Sequence, residues 1–156
     1  MVLYVVTGPP ASGKTTYVQA HATPGAVVID WDALATALTA GPGDSHRHPR
    51  PVQQVAHRAR RAAIREGLRQ SRGHDVWVVH SAPCPEAMAE YQAHGAHVIT
   101  IDPGQDVVLA RCEQLRPPAS RDAALRWYAQ RDTPPHPTMR VQSDITLSND
   151  HGSRDW

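Results

Sequence analysis

The sequence predicts a three-layer α/β domain built on a mostly parallel central sheet. Two observations carry this expectation: apolar runs alternate with helical patterns along the chain, and the runs lack the in-out alternation of a strand with one wet face. Residues 2–8 (VLYVVTG), 26–30 (AVVID), 75–81 (DVWVVHS) and 97–102 (HVITID) each read as a strand buried on both faces. Between them, apolar spacing predicts helices from Lys14 to about His21, Asp32 to about Ala40, Val52 to about Gln70, Pro85 to about His94, and Gln105 to about Leu115. Strand, helix and strand in that order imply right-handed crossovers, which place helices on both faces of the sheet.

The connecting segments follow from turn chemistry. Residues 41–51 (GPGDSHRHPRP) read as a surface loop, and 116–121 (RPPASR) interrupts two helical patterns as a second mobile segment. A helix over 121–131 precedes DTPPHPT. The alternation of 139–147 (MRVQSDITL) then fits a last strand or hairpin, and the tail 148–156 has no pattern and is expected to fray.

Composition sets the scale. A chain of 156 residues that is 40% apolar supports one domain, here 1–156, with a lid at about 111–121. A net charge of +1 gives no global attraction to nucleic acid or to an anionic membrane, so such a partner needs a local patch. Cys84 and Cys112 have neither CxxC spacing nor a disulfide framework, and read as buried or partly buried thiols in a reducing compartment. With no signal-peptide pattern and no membrane-length apolar run, the expected location is the cytoplasm. Arginine supplies every basic residue but one, and phenylalanine is absent; both fit a GC-rich coding background such as that of an actinobacterium or its phage.

The exceptional lysine points to chemistry. Lys14 lies in GPPASGKTT, which satisfies G-x-x-x-x-G-K-[ST] between a predicted strand and a predicted helix. In such a phosphate loop, Gly8, Pro9, Pro10, Ala11, Ser12, Gly13, Lys14, Thr15 and Thr16 wrap a nucleoside triphosphate. Backbone N–H groups and the helix N-terminus face the phosphates, Lys14 reaches the β and γ phosphates, and Thr15 joins the Mg²⁺ shell. Arginine's planar fork does not fit where a point charge is needed inside a tight loop. The expected fold is therefore a P-loop NTPase, with ATP and Mg²⁺ as the implied cofactors.

The second strand ends in VIDWDAL, and its carboxyl end delivers Asp30 and Asp32 toward the phosphates. One carboxylate can take a proton from an attacking hydroxyl while another holds metal-bound water; the plainer alternative makes Asp32 the N-cap of the next helix. The third strand ends in VVHSAP, so His80 and Ser81 occupy the place where an acidic residue would sit. His80 reads either as an acceptor-orienting side chain or as a structural histidine, and Mg²⁺ is left to Thr15, Asp30 or Asp32, and water.

GPPASGKTT, VIDWDAL and RCEQLRPPASRDAALRWY together resemble the polynucleotide-kinase-like branch of P-loop kinases. The resemblance implies that Asp32 is the general base and that Arg111 and Arg116, in a lid after the fourth strand, clamp the donor phosphates. End-healing members of that branch carry an arginine three residues after the catalytic aspartate, where this chain has Ala35, which implies a different acceptor.

Other nucleotide-using classes fit less well. A guanine switch needs Asn-Lys-x-Asp, and the only lysine is spent in the phosphate loop. Motors and AAA-type ATPases call for a strand-terminal acid to activate water. Arg58, Arg61, Arg65, Arg69 and Arg72 recur at steps of three or four and make one basic stripe, open to two readings: a nucleic-acid track or a solvated face. His46, Arg47, His48 and Arg50 precede it as a candidate acceptor insertion, while the His-x-His pair reads as surface residues rather than a metal site. The expected function is phosphotransfer from ATP to a hydroxyl on a nucleic acid or nucleotide, a hydroxymethylpyrimidine in DNA among the variants. A small-molecule or nucleoside kinase and a non-catalytic nucleotide-binding module are the alternatives.

Overall fold

Valine-rich segments make the centre of this protein, and their order decides where the loops meet. The computed structural model describes residues 1–41, 46–132 and 139–141. Along the chain run β1 (Leu3–Thr7), α1 (Lys14–His21), β2 (Val27–Ile29), α2 (Trp31–Ala37), α3 (Arg50–Gln70), β3 (Val76–Val79), α4 (Pro85–Ala93), β4 (His97–Ile101), α5 (Gln105–Leu115), α6 (Ala119–Ala129), a 3-10 turn (Gln130–Asp132) and β5 (Met139–Val141). Among the described residues the sheet has the order β2-β3-β1-β4-β5, and every pairing is parallel. The expected α/β fold with a parallel sheet is therefore the observed one.

Because β1 lies between β3 and β4, the loops leaving these three strands converge at one edge of the sheet. Alternate residues of the strands feed two cores. Leu3, Val5, Ile29, Val76 and Val78 pack with Leu68 of α3 and Tyr91 of α4 on one face. Val6, Trp77, Val79, Ile99 and Ile101 pack with Val18 of α1 on the other. A third cluster, Val108, Cys112 and Ala124, joins α5 to α6 with Ala11 of the phosphate loop against it. At Gly67 a Cβ would come within 2.8 Å of the Ile29 side chain, so glycine lets α3 lie close on the sheet.

Several expectations change. Burial on both faces holds throughout β3 but not in β2, where Val27 and Val28 are exposed. β2 is an outer strand with β3 on one side, and an apolar run does not reveal which strand is at the edge. The helix expected from Asp32 to about Ala40 spans Trp31–Ala37 and is capped by Asp30, whose side chain accepts from the Asp32 N–H; Asp32 is not the cap. Of the segment 116–121, residues 116–118 lie outside helices and α6 already begins at Ala119. Cys84 is exposed at the start of α4, outside the core, whereas Cys112 is buried. Part of the 41–51 loop, DTPPHPT from Thr133 on, the continuation of the last strand beyond Val141 and the tail 148–156 lie outside the described residues. No helix among the described residues is long and apolar enough to cross a membrane.

Candidate active site

The loop after β1 is shaped by backbone geometry that its glycines supply. Gly8 has φ of 136°, and a Cβ there would fall 2.1 Å from the Ile101 carbonyl oxygen, so only glycine lets the chain leave β1 so close to β4. Its N–H donates to the Ser81 carbonyl at 3.2 Å, which ties the loop to the end of β3. Ala11 and Gly13 also take positive φ, of 59° and 97°. α1 begins at Lys14 with no side-chain cap, so its first N–H groups face the loop without a side-chain acceptor.

Lys14 is buried and folds back into the loop it serves. Its Nζ donates to the carbonyls of Gly8 at 3.0 Å and Pro9 at 2.6 Å, with Ser12 Oγ at 3.4 Å. Burial, followed by the charge of Arg116, lowers its pKa to about 8. A triphosphate would replace these carbonyls with stronger, anionic partners.

The two aspartates take different positions. Asp30 is buried; its Oδ1 caps α2, and its Oδ2 accepts from the Thr15 hydroxyl at 2.6 Å. This pairs two hard oxygen ligands on the wall of the loop. Among the described residues no group of three or more His, Cys, Asp or Glu could enclose a metal. The Thr15–Asp30 pair fits Mg²⁺, which binds through one or two protein oxygens with phosphates and water completing its shell.

Asp32 is partly exposed, and Arg116 Nη1 donates to its Oδ2 at 3.1 Å. The same Nη1 donates to His46 Nδ1 at 2.6 Å, so the loop before α3 and the segment after α5 meet over the carboxylate. Arg111 lies farther back, with Nη1 3.4 Å from the Ala11 carbonyl. His48 is buried, with Thr39 Oγ1 at 3.0 Å from Nδ1 and an edge contact to Trp31; the reading of His46 and His48 as surface residues is corrected for His48.

A cavity of about 370 Å³ unites these groups. Pro10, Ala11, Gly13, Lys14, Thr15, Thr16, Asp30, Asp32, His80 and Arg116 all line it, together with Trp31, His57 and Arg60, while Gly8, Pro9, Ser12 and Arg111 stand behind. His80 meets Tyr91 Oη at 2.9 Å through Nδ1; burial and then the Arg60 charge lower its pKa to about 4, which keeps the ring neutral. α6 is fixed beside the cavity by Trp127 Nε1 donating to the Ser81 carbonyl at 3.1 Å, and by Tyr128 Oη and Arg131 Nη1 donating to Asp102.

A family model described as an AAA domain matches residues 3–141. The chain belongs to the AAA domain family. It is a P-loop nucleotide-binding domain of a kinase-like kind, in a family that includes many P-loop kinases. The family's name alone does not place the chain among the AAA-type ATPase motors set aside on sequence grounds. The residue observation stands, since Val79, His80 and Ser81 carry no carboxylate, and the AAA name covers kinases as well. No curated protein is significantly similar to the chain.

Among the cavity residues of this AAA domain that escaped sequence reasoning are Trp31, His57 and Arg60. For Arg60 a signal existed. It lies four residues after Ala56 and three or four before Ala63 and Ile64, on the apolar side of α3, whereas the five arginines of the stripe are all exposed. A charge inside an apolar helical face calls for a partner or a ligand.

Proposed function

We propose that this AAA domain is an ATP-dependent phosphotransferase that moves the γ-phosphate to a hydroxyl on a nucleic acid or nucleotide. One observation carries the reading: a partly exposed carboxylate, Asp32, shares a cavity with the phosphate loop and with a cationic side chain from beyond β4. A carboxylate there suits an acceptor hydroxyl better than it suits hydrolysis, because the end of β3 has no acid to orient water.

In the proposed reaction the loop N–H groups and Lys14 hold the β and γ phosphates. Asp32 accepts the hydroxyl proton as the acceptor oxygen attacks the γ-phosphorus; the new P–O bond forms as the bond to the β–γ bridging oxygen breaks and ADP leaves. Arg116 releases Asp32 and turns to the charge developing on the transferred group. Thr15 and Asp30 are the side chains that would hold Mg²⁺, which supplies charge neutralisation on the phosphates. His80, made a weak base by burial and by the Arg60 charge, orients the acceptor and leaves the proton to Asp32.

The test uses γ-labelled ATP with Mg²⁺ against 5′-hydroxyl DNA, 5′-hydroxyl RNA, hydroxymethyluracil-containing DNA and free nucleosides, with Lys14→Ala as blank. Label on one acceptor establishes transfer and its substrate. Label released only as inorganic phosphate, or tight ATP binding without turnover, overturns the reading in favour of a nucleotide-binding module.

A further inference from the structure

Among the described residues, Arg60 is a cation without a counter-ion in the wall of the reaction cavity. Its Nη2 donates to the Val79 carbonyl at 2.8 Å, and its Nε is shielded from solvent with no hydrogen-bond partner. It makes no ion pair among the described residues; Asp30 is near enough to favour its charge but is engaged by Thr15 and the start of α2. The other cations of the cavity are committed, Lys14 to the phosphate loop and Arg116 to Asp32. Withdrawing a charge from water without a partner is costly, and an incoming anion removes that cost.

A second cavity continues from the first. It measures about 710 Å³, shares His57, Arg60 and His80 with the reaction cavity, and runs between α3 and α4. Arg58, Arg61 and Arg65 line it on the α3 side, facing Glu86 and Glu90 of α4. Arg60 thus stands where an arginine-rich groove opens onto the Asp32 carboxylate.

We infer that Arg60 is the residue that selects the acceptor, by binding a phosphate or phosphodiester group that the acceptor carries close to its reacting hydroxyl. The inference rests on the phosphotransferase reading and narrows it: the acceptor is an anionic alcohol, and a neutral nucleoside lacks the group the site is built to hold. The bond to Val79 fixes the guanidinium, so its charge is presented without further ordering.

The experiment compares thymidine with thymidine 3′-monophosphate, which offer the same 5′-hydroxyl with and without an anion. Wild type, Arg60→Gln and Arg60→Lys are assayed for transfer. The same two compounds are titrated calorimetrically into each protein with Mg²⁺ and a non-hydrolysable ATP analogue. Loss of one charge-assisted contact predicts about tenfold or greater weakening of thymidine 3′-monophosphate in Arg60→Gln, in KM and in calorimetric affinity. Thymidine is unaffected, the ATP analogue binds as before, and Arg60→Lys recovers part of the loss. Equal effects on both compounds, or none on the phosphorylated one, overturn the inference and leave Arg60 a structural pin to β3. If wild type transfers label to no nucleic acid, nucleotide or nucleoside, the phosphotransferase reading fails by itself, and the calorimetric difference between the two compounds still decides the role of Arg60.

Discussion

Arg116 reaches across 84 positions of sequence to donate a 3.1 Å hydrogen bond to Asp32. The pair is only partly exposed, so its attraction is screened less than that of a surface ion pair. It also occupies the carboxylate assigned to the acceptor hydroxyl, which makes this arrangement a resting one. If Arg116 turns to the transferring phosphate, Arg116→Ala lowers kcat by about 10²-fold while the ATP dissociation constant changes by less than about threefold. Single-turnover transfer beside ATP titration measures both, and an unchanged rate removes Arg116 from the machinery.

Asp32→Asn keeps size and hydrogen-bonding capacity but does not accept the proton. Transfer should fall by about 10² to 10⁴-fold with ATP binding retained. Asp30→Asn acts differently, because Asp30 faces Thr15 and caps α2. That variant should raise the Mg²⁺ concentration needed for half-maximal ATP binding.

Lys14 sets a pH dependence on nucleotide binding. Its pKa of about 8 means the free protein loses this charge above pH 8, while bound phosphates favour it. ATP affinity should therefore fall about tenfold per unit as pH rises above 8, until the pKa of the complex is reached, and Lys14→Ala should lose triphosphate protection against thermal unfolding. Without nucleotide the sign is opposite. The unfolded chain holds this proton more tightly, so stability rises with pH between about 8 and 10.5, an increment absent in Lys14→Ala.

Gly8→Ala would force a Cβ against the Ile101 carbonyl at a backbone angle that side chains avoid. The cost should be at least ~2 kcal/mol, seen as a Tm lower by about 4–8 °C. Gly13→Ala meets no steric neighbour and should be milder, from its φ alone.

His80 is held neutral by burial and by Arg60, with its pKa lowered from 6.5 to about 4. Its contribution to stability is present above pH 6.5 and is lost as pH falls through that window, because the unfolded chain takes up the proton first. Tm measured from pH 7 to 4 should drop less steeply in His80→Gln than in wild type. A parallel decline in both proteins would show that His80 titrates normally.

Much of the fold was legible because its signals are local. α1 and α5 begin and end where spacing places them, since the glycine loop before α1 and the turn residues around α5 act over one or two helical turns. The edge position of β2 was not legible, because Val27 and Val28 read as buried until β3 is seen on one side only. Asp30 as the cap of α2 was missed because the two aspartates lie only two positions apart along the chain, and only the backbone conformation tells which carboxylate turns back.

The sequence by itself determined a P-loop domain: a contiguous motif after a strand suffices, since successive backbone N–H groups form the phosphate cradle. Tertiary structure alone decided which distant side chains complete it. The rotation of α3 on the sheet turns Arg60 inward while Arg58, Arg61 and Arg65 face the neighbouring groove. The path of the chain after α5 carries Arg116 back to Asp32. Those placements follow from how helices pack on a twisted sheet, a relation between residues far apart in sequence that no local pattern encodes.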